Sequence, residues 1–369
     1  MSVTTTKIFQ IDPDQPDLNV IALAADLLLA DGLVAFPTET VYGLGANGFS
    51  EEAVARIFVA KQRPLSDPII LHISSLAQLA DVATDIPALA YQLAEHYWPG
   101  PLTMVLKRNP KIPANVSAGL PTVAVRMPSH KIALALLDLA RVPIAAPSAN
   151  LFSRPSATTS QHVLEDLGGR IDAILDGGFS PIGLESTVVD LTQSPPVLLR
   201  PGGVPLERLQ QQIPALQVKQ SYVPLEAEET PLASPGLLLK HYSPKAKLFL
   251  IDGQGTHLQE KMRQLTLQLV AHGYKVGLMT TQEESVFFAE LPATLVSLGA
   301  SDNLAEVGRN LFARMRTLDE QNVDIILTKV ITAEGIGLAI ADRLLRASER
   351  RIVNLDEATA IERILESIK

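Results

Sequence analysis

The sequence predicts a two-domain α/β protein: a twisted, mixed sheet in a larger first domain and a smaller, Rossmann-like parallel α/β domain after it. Three observations carry this. Short apolar runs suited to strands alternate with helical periods along most of the chain. A segment over 221–245, punctuated by Pro224, Pro231, Pro235 and Pro244, interrupts that alternation, and such stretches behave as semi-rigid linkers. The length, 369 residues, exceeds what a single core usually organises. The expected boundaries are 1–220, a linker over 221–245, and 246–369.

The elements follow in order. Residues 18–30 read as a helix and 33–38 as a strand that runs into a polar, glycine-rich turn. Glu51–Lys61 is a helix with Ser50 as its N-cap. Ile69–Ile73 is a strand between prolines, and helix 87–97 stops at Trp98-Pro-Gly-Pro101, because proline ends helical pairing. Strands over 102–107 and 122–127, helix 130–140 and strand Pro143–Ala146 come next, then strands at 172–176, 186–191 and 196–200. After the linker the pattern restarts. Strand 247–251, helix 257–271, strands 274–279 and 294–298, helix 303–317, strand 323–328 and helix 336–347 read as βαβ units.

Composition narrows the function classes. There are no cysteines, which excludes disulfides, thiol nucleophiles and Cys-based metal sites. Net charge is −9, whereas a broad nucleic-acid grip is usually basic; a local basic pocket for a small anion is still compatible. Met1–Gln10 lacks a basic region followed by an apolar run, and the apolar stretch Val20–Ala30 is broken by Asp26. A cytoplasmic small-molecule enzyme without a membrane anchor is the expectation.

The stretch Phe36-Pro-Thr-Glu-Thr-Val-Tyr-Gly-Leu-Gly-Ala-Asn-Gly48 is the most informative in the chain. Glycines let backbone N–H groups approach a ligand, and the following helix points its positive end at anything negative. Gly43-Leu-Gly45-Ala-Asn-Gly48 formally matches the dinucleotide fingerprint, but the strand ends too early for it. Lys61 and Arg63 close the helix; taken alone they answer its dipole, and beside Pro64 and Ser66-Asp67 a phosphate clamp competes with that reading. Pro147-Ser148-Ala-Asn150 ends a strand, where open α/β sheets place ligands. Ser153-Arg154-Pro-Ser156-Ala-Thr158 adds hydroxyls and a cation. Alternation puts Thr122, Ala124 and Arg126 on one strand face. His72 lies in an apolar strand, and no HxxxH or HExxH spacing supports catalytic zinc.

Together these residues resemble the YrdC/Sua5 family, the L-threonylcarbamoyladenylate synthases. The match runs through Pro37-Thr-Glu-Thr-Val-Tyr-Gly-Leu44, Lys61-x-Arg63-Pro64, Trp98-Pro-Gly-Pro-Leu-Thr103, Val125-Arg126-Met-Pro128, Pro147-Ser-Ala-Asn150, Ser186-Thr-Val-Val-Asp190 and Leu199-Arg-Pro-Gly-Gly203. Ser234–Pro244 and Gly335–Leu344 resemble the longer, two-domain Sua5 form.

The resemblance implies that L-threonine, bicarbonate (or CO2) and ATP give threonylcarbamoyl-adenylate and pyrophosphate. A separate transferase machinery would then modify an adenosine of tRNA; direct tRNA contact is allowed but not required. It implies a concave basic cavity in a mixed α/β sheet. The family's K-x-R and S-x-N elements map to Lys61, Arg63, Ser148 and Asn150. By position Arg63, Asp67, Thr122, Ser148, Ser156, Arg200 and Tyr242 look like the ATP side, with Tyr242 in a linker that acts as a lid. Thr40, Thr38, His72, Arg126, Ala146 and Ser186 look like the threonine side. Mg²⁺ would enter with ATP, held by phosphates and water, with no protein metal ligand. One position departs: Asp67 stands where many relatives have Asn, a charge that repels phosphate unless it faces Mg²⁺ or the ribose. The alternatives are an RNA-binding, translation-related module and a carbamoyltransferase that uses carbamoyl phosphate.

Overall fold

The computed structural model describes residues 5–219, 241–253, 257–331, 334–357 and 359–368. Among these, 5–152 and 156–219 form one compact unit; Ser153–Pro155 and 241–368 form a second. The linker expected over 221–245, and with it most of the expected lid, lies outside the described residues up to position 240.

The first unit runs β1 (Lys7–Gln10), α1 (Leu18–Leu29), β2 (Val34–Phe36), β3 (Gly43–Asn47), α2 (Glu51–Lys61), β4 (Ile70–His72), α3 (Leu79–Val82), β5 (Ala83–Thr84), α4 (Ala88–Tyr97) and β6 (Leu102–Arg108). It continues with β7 (Thr122–Arg126), α5 (Lys131–Ala140), β8 (Ile144–Ala145), α6 (Ser160–Leu167), β9 (Ala173–Asp176), β10 (Thr187–Asp190), β11 (Val197–Arg200), α7 (Leu206–Gln212) and β12 (Gln217–Val218). The strands make one mixed sheet in the order β1-β9-β2-β3-β8-β4-β7-β6-β10-β11-β12, with β5 beside β6. Strand alternation explains its two cores. Val34 and Phe36 pack with Ile21 and Leu28 of α1 and Leu136 of α5, while Leu33 and Ala35 pack with Tyr42, Leu44 and Ile57.

The second unit contains β13 (Lys247–Asp252), α8 (Leu258–Ala271), β14 (Val276–Thr280), α9 (Gln282–Phe288), β15 (Thr294–Ser297), α10 (Leu304–Glu320), β16 (Ile325–Lys329), α11 (Gly337–Ala347), β17 (Ile352–Asn354) and α12 (Ala360–Ile368). Its sheet is parallel throughout, in the order β15-β14-β16-β13-β17. Three residues reach it from the middle of the first unit's sequence. Ser243 N donates to Ser153 O (2.6 Å) and Arg316 Nη2 to Pro155 O (2.6 Å). Arg154 Nη2 lies 3.6 Å from Asp319 Oδ2.

One expectation fails in an instructive way. Gly43–Asn47, read as a turn, is a strand antiparallel to β2. None of Gly43, Gly45 and Gly48 has a left-handed φ. A Cβ on Gly45 would lie 2.9 Å from both Ile144 Cγ2 and Phe36 Cε1. Glycine is needed there for close packing of β3 against its neighbours. The positive end of α2 is likewise spoken for. The Ser50 side chain accepts from Ala53 N, and Glu51 and Glu52 occupy the first turn, so its dipole is already answered.

Candidate active site

The sheet register builds the site. His72 on β4 pairs with Arg126 on β7, and Arg126 pairs with Thr103 on β6. Directly paired residues share a face, so these three form a polar row across adjacent strands. Ile70, Ala124 and Val105, displaced by two positions, and Val188, the partner of Thr103, make an apolar cluster on the same face. Thr103 Oγ1 lies 2.7 Å from Ser186 Oγ, which extends the row to the residue just before β10.

Arg126 is buried and held from three sides. Its Nη1 donates to Thr40 Oγ1 (2.8 Å), its Nε to Gly100 O (3.2 Å), and its Nη2 lies 2.8 Å from Glu39 Oε1. Thr40 Oγ1 also meets Thr38 Oγ1 at 2.8 Å. Thr38, Thr40, His72 and Arg126, expected on the threonine side, are therefore brought together. Ala146 joins them through β8, its N–H donating to Ile70 O. The sixth, Ser186, accepts at its carbonyl from Arg200 Nε (3.2 Å) and Nη2 (3.0 Å). Arg200 was expected on the ATP side, so the two halves meet at Ser186. The Ser156 hydroxyl donates to Glu185 Oε1 beside them.

Lys61 is buried, and its Nζ donates to the carbonyls of Ser148 and Asn150. The K-x-R lysine thus meets the S-x-N loop, bringing together the two elements assigned to the phosphate clamp and the strand end. Gln62 takes a left-handed φ of 56° and turns the chain out of α2. Arg63 then donates from Nε to Asp67 O (3.1 Å) and from Nη2 to Pro68 O (2.7 Å), with Asp67 Oδ2 2.9 Å from Nη2. This answers the departure at Asp67: its carboxylate faces the Arg63 guanidinium, so the charge has a cation beside it. Thr122 stands apart. It is half-buried at the start of β7, four residues from Arg126, about 13 Å at the usual strand rise.

Burial, with Arg126 nearby as the lesser cause, lowers the His72 pKa to about 3. Its imidazole is neutral at working pH and sits edge-on to Phe36 (6.1 Å, 90°). An unfolded histidine titrates near 6.5. The unfolded chain therefore binds the extra proton first as pH falls, and the stability from this site, full above about 6.5, is lost toward 3. Denaturant unfolding between pH 5.5 and 4 should show the wild type losing about 1.4 kcal/mol more per pH unit than His72→Gln. Parallel slopes would place His72 in contact with water.

Two family models match the chain: one described as "Telomere recombination" over residues 26–202, and the other as "Threonylcarbamoyl-AMP synthase, C-terminal domain" over 204–349. The threonylcarbamoyl-AMP synthase of Pyrococcus abyssi is 44% identical, over 91% of this chain and 96% of the relative. That of Bacillus subtilis is 42% identical, over 90% and 94%. The crystal structure of P. abyssi Sua5 complexed with L-threonine superposes with a TM-score of 0.88, at 42% identity, over 95% of this chain and 99% of that one.

The chain belongs to the Sua5/YrdC family of threonylcarbamoyl-AMP synthases. It is an enzyme by that membership, which sets aside the RNA-binding and carbamoyl-phosphate alternatives as leading readings.

Within this family frame, Tyr242 belongs to the second unit. It is fully buried, stacked on Phe312 (5.2 Å, 30°), edge-on to His241 (4.0 Å), with the Arg343 guanidinium 5.4 Å from its ring. Tyr242→Ala should cost about 3–5 kcal/mol, seen as a lower denaturant midpoint; an unchanged midpoint would mean the ring is not part of this packing. Sequence reasoning missed Glu39, Thr103 and Glu185 in the Sua5/YrdC site. Glu39 stands between two assigned threonines and Glu185 beside Ser186, so adjacency was the available signal. Thr103 closes the Trp98–Thr103 motif, but its place beside Arg126 follows only from register. No helix among the described residues is long and apolar enough to cross a membrane.

Proposed function

We propose that the first unit joins L-threonine, bicarbonate and ATP into L-threonylcarbamoyl-AMP, releasing pyrophosphate, with the threonine held around Arg126 and the nucleotide toward Arg200, Ser156 and Arg63. The observation that supports this most is the continuous buried track Arg126–Thr103–Ser186–Arg200. It has a guanidinium at each end, suited to a substrate pair that is anionic at both ends and reacts in the middle. Buried polar groups are costly unless used or paired, and this concentration of them is what a site, not a core, requires.

Bicarbonate takes up a proton and loses water to give CO2. The threonine ammonium gives up one proton, its neutral amine bonds to the CO2 carbon, and a second proton leaves as the carbamate forms. A carbamate oxygen bonds to the α-phosphorus as the bond to pyrophosphate breaks. No covalent protein nucleophile is needed; positioning and cations lower the barrier. Lys61 fixes the Ser148–Asn150 loop, and neutral His72 shapes the threonine end without adding charge. Mg²⁺ accompanies ATP in this reading and offsets charge on the triphosphate. The product would pass to a tRNA threonylcarbamoyl transferase in the cytoplasm.

The test is pyrophosphate release from ATP with Mg²⁺ and bicarbonate, with and without L-threonine, and with serine and glycine as controls. Threonine-dependent release, lost without bicarbonate, is the expected result. Release indifferent to threonine, or dependence on carbamoyl phosphate, would overturn the reading.

A further inference from the structure

Glu39 carries a role that no part of the reaction above has yet used. Its residue is only 6% exposed. Its backbone is pinned: Glu39 O accepts from Ile182 N (2.8 Å), and the flanking Thr38 hydroxyl donates to Val41 O (2.6 Å). Its carboxylate nevertheless has hydrogen-bonding capacity to spare. Oε1 lies 2.8 Å from Arg126 Nη2, close enough for an ion pair. The two are not aligned for a hydrogen bond, and among the described residues Oε1, Oε2 and Arg126 Nη2 have no hydrogen-bond partner.

Leaving a buried carboxylate and a buried guanidinium under-satisfied costs stability. The arrangement is understandable if a ligand completes it, and the ligand must be charged in a particular way. A lone anion would satisfy Arg126 and be repelled by Glu39; a lone cation would do the reverse. An α-amino acid presents an ammonium and a carboxylate side by side on one carbon, and so matches both partners at once.

We propose that Glu39 accepts the amino group of L-threonine while Arg126 takes its carboxylate, so that the pair reads the substrate as a zwitterion. This rests on the threonine reading above and adds to it a positioning and specificity residue. The site then rejects hydroxy acids of the same shape because they leave Glu39 unmatched beside an anion.

The experiment compares L-threonine with 3-hydroxybutanoate, which keeps the carboxylate and the hydroxyl but lacks the amine. Binding of each is measured by calorimetry to the full chain and to Glu39→Gln, with ATP binding followed in parallel. The wild type is expected to prefer threonine by roughly 100-fold or more. In Glu39→Gln that preference should collapse toward unity, with ATP affinity unchanged and the loss in turnover falling on the threonine KM more than on kcat. Glu39→Asp, which keeps the charge, should restore part of the preference; it also serves if the Gln variant folds poorly. Retained discrimination in Glu39→Gln, or equal weakening of both ligands, would overturn the assignment while the function stands. A wild type that binds ATP but no threonine would instead overturn the function, and the assignment with it.

Discussion

Lys61→Ala should lower threonine-dependent pyrophosphate release by roughly 100- to 1,000-fold, with threonine affinity largely retained. The lysine lies at the last turn of α2, and its ammonium bridges two carbonyls on the loop that carries Ser148 and Asn150. Removing it releases that loop from the sheet and leaves buried acceptors without their donor. The second consequence costs about 1–3 kcal/mol per acceptor, so the variant should also melt several degrees lower. Lys61→Met separates the contributions, since it keeps the stem and deletes the charge. Near-normal turnover in either variant would show that loop and lysine act independently.

The second large effect falls on a glycine. A Cβ on Gly202 would come within 2.4 Å of Glu185 O, Ser186 C and Thr187 N. All three are backbone atoms, at a separation that real side chains do not adopt, and they belong to the segment that sets Ser186 against Thr103 and Arg200. The backbone of Gly202 itself has no left-handed φ, so the demand is for space alone. Gly202→Ala should therefore cost about 3 kcal/mol or more. That corresponds to roughly 6–12 °C in melting temperature for a unit of this size, and turnover should fall with it. Gly178→Ala is an informative contrast: nothing lies within 4 Å of its Cβ position, but its φ is +80°. It should be mildly strained and leave Ser186 in place. A Gly202→Ala protein as stable and active as the wild type would mean the Glu185–Thr187 backbone yields easily.

Elements with strong periodicity and local stop signals were legible: α2 begins at its Ser50 cap and α4 ends before Trp98-Pro99. β1 was not, because its pattern is mostly exposed and it exists through pairing with β9. α6 was hidden in a run of hydroxyl residues, although Thr159 caps it by accepting from His162 N. At β3 the sequence showed that side chains were absent but not why; turn geometry and close packing leave the same letters. Within the site the residue set around Lys61, Arg63, Ser148, Asn150 and Arg126 could be named from motif order. Their partners could not, because Lys61 meets carbonyls 87 and 89 positions away and Glu39 meets Arg126 across the sheet. Asp67 looked anomalous as a lone charge and becomes ordinary once Arg63 is seen against it.

The excursion of Ser153–Pro155 into the second unit has a practical meaning for anyone who cuts this polypeptide. A protease that nicks it between residues 219 and 241 would yield two fragments still latched together through Ser153–Ser243, Pro155–Arg316 and Arg154–Asp319. They should co-elute from a sizing column under native conditions and part only in denaturant. The first fragment, produced alone, would carry Arg154 stripped of Asp319, between Asn150 and Ser156. The covalent boundary and the physical boundary of the two halves are thus in different places along the chain.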